Sequence, residues 1–267
     1  MISVVQLGTI DYATGLRLQQ QLVALRKEEK IGDVLLLLEH KPVITLGRNA
    51  KAANVIASPE VLAQRGVELF ECDRGGDVTF HGPGQVVGYP VFDLRGFARG
   101  AEDAPSALRK TLGAVDFVRR LEEVLIRTCA DFAIPTKRVP GLTGVWTDPA
   151  HEAIPEAKLA AIGVHISRFV TSHGFALNVN TDLSYFNLII PCGITSKPVT
   201  SMQRELGYEI GLNSVAESIS RNFGVVFESQ MLWVDTIDAL LGRTVGVPVE
   251  RPAELRHLHK EDGTTWA

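Results

Sequence analysis

The sequence predicts a globular chain in which helices and strands are mixed. Of its 267 residues, 45% are hydrophobic and 22% are charged, which is enough apolar material for the core of an ordinary globular protein. The hydrophobic spacing at the start of the chain is typical of strand, helix, strand and strand. The middle of the chain holds an amphipathic helix and then a strand pair. The length permits one large domain or two.

The first elements follow from apolar spacing and from residues that end helices. Residues 2–7 are predicted as a strand, and residues 12–29 as a helix that Gly32 stops. Residues 34–38 form a short apolar run typical of a buried strand. Residues 43–46 are predicted to pair with that run across the intervening turn.

The next elements are a short helix and a strand. Ser58 and Pro59 are typical of an N-cap and a first helical turn, and Gly66 ends that helix. Residues 67–72 then alternate between apolar and polar, as a strand does.

The second half of the chain is predicted to hold two helices and a strand pair. Residues 116–132 form an amphipathic helix with Cys129 on its buried face. Residues 159–166 and 170–178 form an antiparallel pair, and Asn213 caps a helix that runs to Phe223. The pattern weakens after residue 231, so the last stretch, LRHLHKEDGTTWA, is expected to fray.

The charge balance argues against nucleic-acid binding. The chain has 27 Lys and Arg against 31 Asp and Glu, a formal net charge of -4, and nonspecific nucleic-acid binding needs a positive field. The longest uncharged stretches, residues 169–180 and 184–196, are shorter than the roughly 20 apolar residues that cross a bilayer. We therefore expect no nucleic-acid partner and no membrane span.

The N-terminus and the cysteines indicate a cytoplasmic protein. No basic residue precedes Arg17 and Asp11 interrupts the first apolar run, so the pattern of a secretion signal is missing. The three cysteines, Cys72, Cys129 and Cys192, are odd in number and far apart, which fits neither a disulfide framework nor a zinc site.

A glycine-rich segment is the first candidate for a ligand site. Residues 74–93, RGGDVTFHGPGQVVGYPVFD, contain five glycines together with Arg74, Thr79, His81 and Gln85. Consecutive glycines let backbone N–H groups converge on an oxygen, and an arginine can anchor a polar group. A tight cluster of turns with a surface histidine explains the glycines equally well. The spacing matches neither a dinucleotide-binding nor a P-loop motif.

Cys192 and Lys158 are the second candidate. Cys192 follows an apolar run and Pro191, and Gly193 after it lets the chain turn, which would present the sulfur at a rim. Lys158 begins a strand of small apolar residues, where an ammonium loses hydration. A cysteine in such surroundings is more often an inert small hydrophobe, and a lone lysine is more often solvated. Composition and spacing leave both interpretations open.

Four motifs together carry a resemblance to a known family. RGGDVTFHGPGQ, KLAAIG, HGFALNV and PCGI occur in this order over residues 74–194, and they resemble the lipoyl(octanoyl) transferase family. The pattern R-G-G-x-x-T-x-H-x-x-G-Q is fully met, and Lys158 and Cys192 have the spacing of that family's lysine and cysteine. The likeness covers about the first 230 residues. The stretch between Trp146 and Lys158 is longer than in the family.

The resemblance implies the α+β fold of biotin and lipoate protein ligases, with mixed β-sheets packed by helices. It implies a catalytic domain over residues 1–230, which leaves residues 231–267 as an extension of unknown role. It implies transfer of an octanoyl group from octanoyl-acyl carrier protein to a lysine of a lipoyl domain. The expected acceptors are the lipoyl domains of 2-oxoacid dehydrogenase acyltransferase subunits and the glycine cleavage H protein, with no cofactor and no metal.

The resemblance also implies roles for particular residues. Cys192 corresponds to the nucleophile that forms an acyl thioester, and Lys158 to the lysine that activates it and shuttles protons. The resemblance assigns no specific chemical role to His81; our hypothesis is that it orders its loop and helps to bind the transferred carbonyl. The residues that match substrate-binding segments are Arg74, Gly75, Gly76, Asp77, Val78, Thr79, Phe80, His81, Ala161, Ile162, Gly163, Gly174, Phe175 and Ala176.

Two further expectations concern the substrates. An octanoyl chain needs a narrow apolar tunnel, and the small residues Ala160, Ala161, Gly163, Gly174 and Ala176 suit its wall. Both protein substrates belong to acidic families, so a local basic patch is needed. The candidate patches are Arg48 with Lys51, Lys137 with Arg138, and Lys197 with Arg204.

Three alternatives remain open on the sequence. The first is an ATP-using lipoate or biotin protein ligase, which needs no cysteine. The second is a noncatalytic module that binds lipoyl domains or acyl carrier protein. The third is a cysteine hydrolase that pairs Cys192 with His81 or His173 and releases free octanoate.

Overall fold

The structure is a computed structural model that describes residues 1–97, 111–149, 154–191 and 197–242. In these ranges the strands are β1 (Ile2–Ile10), β2 (Asp33–His40), β3 (Val43–Leu46), β4 (Glu68–Glu71), β5 (Val78–His81), β6 (Gln85–Val91), β7 (Thr136–Val139), β8 (Leu142–Thr147), β9 (Lys158–Ser167), β10 (Val170–Asn178) and β11 (Met231–Trp233). The helices are α1 (Tyr12–Lys27), α2 (Pro59–Gln64), α3 (Ala114–Asp131), α4 (Met202–Leu206), α5 (Leu212–Val226) and α6 (Ile237–Gly242).

An eight-stranded mixed sheet with the order β11-β1-β2-β6-β10-β9-β8-β7 forms the centre of the fold. β1 runs parallel to β2 and β11, whereas β6 pairs antiparallel with β2 and β10. β10 and β9 pair antiparallel over most of their length, as their alternating sequences predict. The sequence prediction of this strand pair is confirmed.

Apolar layers cover both faces of this sheet. Successive leucines of β2 show this, because Leu35 and Leu37 join one core cluster and Leu36 and Leu38 join the other. A strand buried on both faces reads as a continuous apolar run, since neighbouring side chains point to opposite faces. α3 and α5 pack on the first face, and α1 packs on the second.

A small sheet with the order β4-β3-β5 lies beside the large one and has its own core. The predicted pairing of residues 43–46 with β2 is wrong. Both edges of β2 are occupied, by β1 and β6, and β3 instead pairs with β4 and β5. The turn at residues 41 and 42 therefore carries the chain out of the large sheet.

The predicted helices are confirmed, with one wrong cap. Ser58 caps α2 by accepting from the Val61 backbone N–H, and Cys129 on α3 is fully buried. α5, however, has Gly211 at its N-cap position. Asn213 lies inside the first turn, where its side chain accepts a hydrogen bond from Gln6.

The chain continues in the same sheet beyond residue 230. β11 pairs with β1, and Leu240 and Leu241 of α6 join the core beside α1. Residues 243–267, which include the stretch expected to fray, lie outside the described residues, so the division near residue 230 stays a prediction. None of the helices in the described part of the chain is long and apolar enough to cross a membrane.

Candidate active site

A cavity opens where α1, the glycine-rich segment and strands β6, β9 and β10 meet. It encloses about 480 Å³ of empty volume, its mouth included. We call it the histidine cavity. Its lining residues are Tyr12, Arg74, Gly75, Gly76, Asp77, Thr79, His81, Val87, Tyr89, Ala161, Ile162, Gly163, His173, Gly174, Phe175 and Ala176.

The glycine-rich segment lies against β9 with almost no space between the two backbones. The Gly75 N–H donates to the Val164 carbonyl over 3.0 Å. A Cβ at Gly163 would lie 2.6 Å from the Gly75 oxygen, closer than two such atoms can approach. Gly163 is therefore required by backbone packing.

β5 shows which members of the glycine-rich segment reach the cavity. Thr79 and His81 line it, whereas the side chains of Val78 and Phe80 are buried in the core of the small sheet. Strand side chains alternate between faces, so adjacent residues of this motif have different surroundings. The side chains of Val78 and Phe80 therefore do not line this cavity, and their predicted substrate-binding role stays a prediction.

Arg74 holds the glycine-rich segment to the small sheet. Its Nε and Nη2 donate to the hydroxyl and carbonyl oxygens of Thr45 over 2.6 to 3.1 Å, and its Nη1 donates to the Gly75 carbonyl. It is buried, and no carboxylate in the described part of the chain forms a salt bridge with it. Its positive charge therefore acts on the cavity and the aromatic groups around it.

His81 is held by an amide network that runs away from the cavity. His81 Nδ1 lies 2.8 Å from Gln85 Oε1, and Gln85 Nε2 donates to the Phe80 carbonyl and to Asn178 Oδ1. Burial, followed by the neighbouring His40, lowers the pKa of His81 to about 3. His81 is therefore neutral near pH 7.

Sequence reasoning missed the buried aromatic groups around His81. Tyr12 stacks on the His81 ring, and His40 meets that ring edge-on. His40 Nδ1 lies 3.1 Å from the Ile10 carbonyl and its Nε2 lies 2.6 Å from the Tyr89 hydroxyl. Burial lowers the pKa of His40 to about 4 and raises the pKa of Tyr89. Local patterns could not reveal this group because it joins α1, β2, β5 and β6.

His173 lies at the other side of the cavity and contacts a carboxylate. Its Nε2 is 2.7 Å from Asp73 Oδ1, and its backbone N–H donates to Gln19. Burial lowers the pKa of His173, and Asp73 partly offsets that shift. Burial alone would raise the pKa of Asp73, but the hydrogen bond and charge of His173 give a net lowering.

A second, smaller cavity adjoins the first and contains Lys158. Both cavities share the wall residues Thr79, Ala161 and Ala176. We call this one the lysine cavity. Its lining residues are Thr79, Gln85, Lys158, Ala161, Ala176, Asn178, Phe186, Pro191 and Val199.

Lys158 is buried at the start of β9. Gly144 leaves room for its side chain, and its Nζ lies over the Trp146 ring. A Cβ at Gly144 would lie 2.9 Å from the Lys158 Cε, and the Lys158 Nζ lies 5.3 Å from the centre of the Trp146 ring. The Lys158 backbone donates to the Pro198 carbonyl and accepts from the Thr200 N–H. Backbone hydrogen bonds thus hold the segment that follows residue 196 directly against the start of β9.

Cys192 and residues 193–196 lie outside the described residues, but the residues that precede Cys192 are described. Pro191 lines the lysine cavity, and the Ile190 N–H donates to the Asn54 carbonyl over 2.7 Å. The side chain of Asn54 in turn donates to Asp77 in the glycine-rich segment. These contacts connect the approach to Cys192 with both cavities.

Comparison with known proteins identifies the family. Residues 11–224 match the family model described as the lipoyl protein ligase A/B catalytic domain. The chain is 60% identical over 262 residues to the octanoyltransferase of Koribacter versatilis, covering 98% of each chain. It is 56% identical over 243 residues to the octanoyltransferase of Acidobacterium capsulatum, covering 90% of this chain and 96% of that one. The chain belongs to the octanoyltransferase family.

Solved structures confirm the predicted fold. The bipartite lipoate protein ligase of Thermoplasma acidophilum superposes with a TM-score of 0.65 at 13% identity, covering 98% of this chain and 93% of that one. LipL1 of P. falciparum, solved in complex with lipoate, gives a TM-score of 0.64 at 12% identity, covering 97% of this chain and 71% of that one. Similarity at this level of identity establishes the fold alone. The α+β fold of lipoate ligases is therefore confirmed for this octanoyltransferase family member.

The structure brings most of the predicted site residues together. The members of the β9 and β10 segments, Ala161 to Gly163 and Gly174 to Ala176, all line the histidine cavity, as do six residues of the glycine-rich segment. Ala160 lies in the core and lines neither cavity. The chemical roles of these residues, like that of Cys192, stay predictions.

Ion pairs neutralise the patch of Lys137 and Arg138, and they neutralise one member of the patch of Lys197 and Arg204. Lys137 contacts Asp148 and Glu156, and Arg138 contacts Glu122 and Glu123. In the third patch Lys197 contacts Glu156.

Arg48 and Lys51 have the most open surroundings of the candidate patches. Both are exposed, and neither has a salt bridge to another residue that the structure describes. They lie in the segment that bonds to the backbone of Arg74 and Gly76.

Proposed function

We propose that this chain transfers an octanoyl group from octanoyl-acyl carrier protein to a lysine of a lipoyl domain through a thioester on Cys192. The observation that carries the proposal is that Lys158 and Pro191, which precedes Cys192, line one cavity. That cavity shares the wall of Thr79, Ala161 and Ala176 with a second cavity. Family membership supports the octanoyl group as the one transferred.

In the first half-reaction the Cys192 thiolate attacks the thioester carbonyl of the donor. A carbon–sulfur bond to Cys192 forms, the bond to the carrier thiol breaks, and the Lys158 ammonium gives a proton to the departing sulfur. Exchange of one thioester for another is nearly isoenergetic, so this step needs no nucleotide.

In the second half-reaction the amine of the acceptor lysine attacks the Cys192 thioester. An amide bond forms, the Cys192 thiolate leaves, and neutral Lys158 takes the proton from the attacking nitrogen. Lys158 thus returns to its ammonium form and Cys192 to its thiolate form. The more stable amide product favours the overall direction.

The shared wall is where we place the acyl chain. Ala161 and Ala176 present little side-chain volume there, and Phe175 and Val87 add apolar surface in the adjoining histidine cavity. Burial of each methylene contributes about 0.8 kcal/mol. Gly163 and Gly174 line the histidine cavity as well, but the carbonyl oxygens of Gly75 and Gly88 fill the space of their missing side chains.

Intact-mass analysis with octanoyl-acyl carrier protein tests the nucleophile. We expect one octanoyl adduct on the wild-type chain, none on Cys192→Ser, and an unchanged adduct on Cys72→Ser. An adduct that persists in Cys192→Ser, or that maps to Cys129, would overturn the assignment.

The same assay separates the alternatives. Transfer that requires ATP, magnesium and free octanoate would favour a protein ligase. Binding without turnover would favour a noncatalytic module. Release of free octanoate would favour a hydrolase, for which the contact of His173 with Asp73 provides a possible base and orienting carboxylate.

The finer identity of the substrates belongs to the proposal as well. We propose as acceptors the lipoyl domains of 2-oxoacid dehydrogenase acyltransferase subunits and the glycine cleavage H protein, and we place the reaction in the cytoplasm. Kinetic comparison of purified acceptor domains tests these choices. The expected result is octanoylation of one lysine in each domain.

A further inference from the structure

The buried amides of Gln85 and Asn178 connect the two cavities. Gln85 on β6 and Asn178 on β10 are directly opposite each other in the antiparallel register. Both line the lysine cavity, and Gln85 contacts His81 of the histidine cavity. Both side chains are almost fully buried, so water does not compete for their hydrogen bonds.

Backbone carbonyls fix the orientation of both amides. Asn178 Nδ2 donates to the Thr200 carbonyl over 2.9 Å, so its Oδ1 faces Gln85 Nε2. Gln85 Nε2 also donates to the Phe80 carbonyl over 3.2 Å. A carbonyl oxygen accepts hydrogen bonds and cannot donate them, so neither amide can be reversed without placing two acceptors against each other.

The remaining atom of this network is Gln85 Oε1, which faces His81 Nδ1 at 2.8 Å. Because Gln85 Oε1 is an acceptor, Nδ1 must carry a proton. His81 Nε2 forms no hydrogen bond with any residue in the described ranges, and the ring lines the histidine cavity.

We propose that Gln85 and Asn178 are positioning residues that hold His81 as the Nδ1–H tautomer, so that Nε2 presents a hydrogen-bond acceptor to the cavity. A ligand group that meets Nε2 is then a donor, such as an N–H group, and is not the acyl carbonyl oxygen. This revises the sequence-based expectation that His81 helps to bind the carbonyl.

The groups around His81 favour its neutral form. The Arg74 guanidinium, His40 on β2 and His173 on β10 all oppose a positive charge on the ring. Tyr12 of α1 stacks on the ring, and burial raises the pKa of this phenol, so it stays neutral too. Among the residues that the structure describes, the charged and titratable groups that shift the pKa of His81 most are His40, Arg74 and His173, none of which is a carboxylate.

The network also connects His81 with the catalytic lysine of the proposed function. The Thr200 carbonyl holds Asn178, while the Thr200 N–H donates to the Lys158 carbonyl over 3.0 Å. The tautomer follows from the hydrogen bonds alone. Its effect on acyl transfer rests on the proposed function.

Nitrogen-15 NMR of histidine-labelled full-length protein tests the tautomer without substrate. We expect the shifts of a protonated Nδ1 and a bare Nε2 for His81 from about pH 8 to about pH 5; His81→Gln identifies the signals. In Gln85→Leu the two shifts should move towards each other as the tautomers mix. A protonated Nε2 in the wild type, or unchanged His81 shifts in folded Gln85→Leu, would overturn the proposal.

Two further variants separate positioning from a structural role. Gln85→Glu retains an acceptor beside Nδ1 but loses the donor to Phe80 and Asn178. In the folded variant the tautomer should therefore persist, while the added charge raises the pKa of His81. Asn180→Leu is the matched control, because Asn180 also bonds to backbone through both amide atoms but contacts Ile210. It should leave the His81 shifts unchanged.

Turnover gives the functional part of the test. We expect Gln85→Leu to lower kcat/KM for octanoyl transfer about tenfold, the effect of one lost hydrogen bond, and Gln85→Glu to change its pH profile. A wild-type chain without transfer activity but with the expected tautomer would refute the proposed function and leave the inference standing. Normal turnover in Gln85→Leu with mixed tautomers would overturn the role of the tautomer in transfer.

Discussion

The two adjoining cavities differ in how their ionisable groups are held. In the histidine cavity, His40 and His81 are buried, hydrogen-bonded through one ring nitrogen to a fixed acceptor, and neutral. In the lysine cavity, Lys158 lies over an aromatic ring. If the proposed function is right, the first cavity provides fixed shape and polarity for a ligand, and the second provides the group that moves protons.

Replacement of Lys158 should have the largest effect on turnover. Lys158→Met should lower the rate of octanoyl transfer by about 10² to 10⁴, the usual contribution of a positioned acid and base. Lys197→Met is the matched control, because Lys197 lies 5.8 Å from the same Trp146 ring but is paired with Glu156. A partly exposed ion pair of this kind contributes about 1 kcal/mol or less, so the control should lose less than about fivefold.

Steady-state kinetics with purified donor and acceptor measure both variants. Equal losses in the two would mean that Trp146 packing matters and that Lys158 has no special role. An unchanged rate in folded Lys158→Met would contradict the proposal that Lys158 in the lysine cavity transfers protons.

Replacement of Arg74 should have the largest effect on stability. Arg74 donates four hydrogen bonds to Thr45 and Gly75 from a buried position, and hydrogen bonds from a charged group contribute about 1.5–3 kcal/mol each. The cost of burying the guanidinium, several kcal/mol, offsets a large part of that sum. Arg74→Met loses the bonds and also removes that cost, so it should lower the free energy of unfolding by about 3 kcal/mol.

Urea unfolding measures the loss, and Arg95→Met serves as the comparison. Arg95 also donates several hydrogen bonds, to Asp93, but its side chain is 48% exposed. An exposed pair contributes about 1 kcal/mol or less. A larger loss in Arg95→Met than in Arg74→Met would refute the view that Arg74 holds the cavity wall.

A fall in pH should destabilise the folded chain, because the buried histidines His40 and His81 resist protonation. The unfolded-state pKa of histidine is about 6.5, whereas His40 and His81 have folded pKa values of about 4 and about 3. Between the folded and unfolded pKa values, the unfolded chain therefore binds more protons than the folded chain. The free energy of unfolding should be highest above about pH 6.5 and should decrease as the pH falls towards the folded values. Each imidazole contributes a slope of up to about 1.4 kcal/mol per pH unit.

The free energy of unfolding, measured between about pH 7 and about pH 5, checks this slope in a range where ordinary carboxylates stay ionised. His40→Gln should reduce the slope, and so should His81→Gln. His165→Gln is the control, because His165 is not buried. If His40→Gln and His81→Gln show the same pH dependence of the free energy of unfolding as His165→Gln, His40 and His81 are not buried in their neutral forms.

The sequence revealed the parts of this site that are contiguous and missed the parts that tertiary contacts assemble. The glycine-rich motif and the β9–β10 pair are local, and their cavity residues could be listed from motif resemblance. The group of Tyr12, His40 and Tyr89 could not, because its members are on three elements that only the sheet order brings together. Motif matching lists Val78 and Phe80 with Thr79 and His81 because it ignores the alternation of a strand, which buries their side chains in the small sheet.

The strand pairing of β3 was missed for a similar reason. A short turn between two apolar runs is typical of a hairpin, but β2 already has β1 and β6 as neighbours. β6 reaches β2 from residues 85–91, and no local signal encodes that long-range pairing. The fold class was predictable because the resemblance spans most of the chain, whereas the register required the structure.

Enlargement of the shared wall should change the preferred acyl length. Ala176 lines both cavities, so Ala176→Leu should exclude about two methylenes, worth about 1.6 kcal/mol. The ratio of octanoyl to hexanoyl transfer should fall about 15-fold at that energy. Ala216→Leu is the control, because Ala216 is also buried but lies on α5 in the core. If the ratio of octanoyl to hexanoyl transfer falls as much in Ala216→Leu, a general loss of core packing, and not the shared wall, determines the preferred acyl length.

The smallest expected effect concerns docking outside both cavities. Arg48 and Lys51 are exposed beside the glycine-rich segment, whose backbone Arg48 contacts directly. If they attract an acidic carrier protein, Arg48→Asn and Lys51→Asn should each lower kcat/KM a few-fold at low salt. The difference should disappear at high salt, because exposed charges are screened.

Arg168→Asn is the control for this surface. It removes the same charge at the turn between β9 and β10, at the opposite end of β9 from Lys158, so it should leave kcat/KM unchanged. An equal effect of Arg168→Asn would show that net charge, and not this surface, governs the encounter.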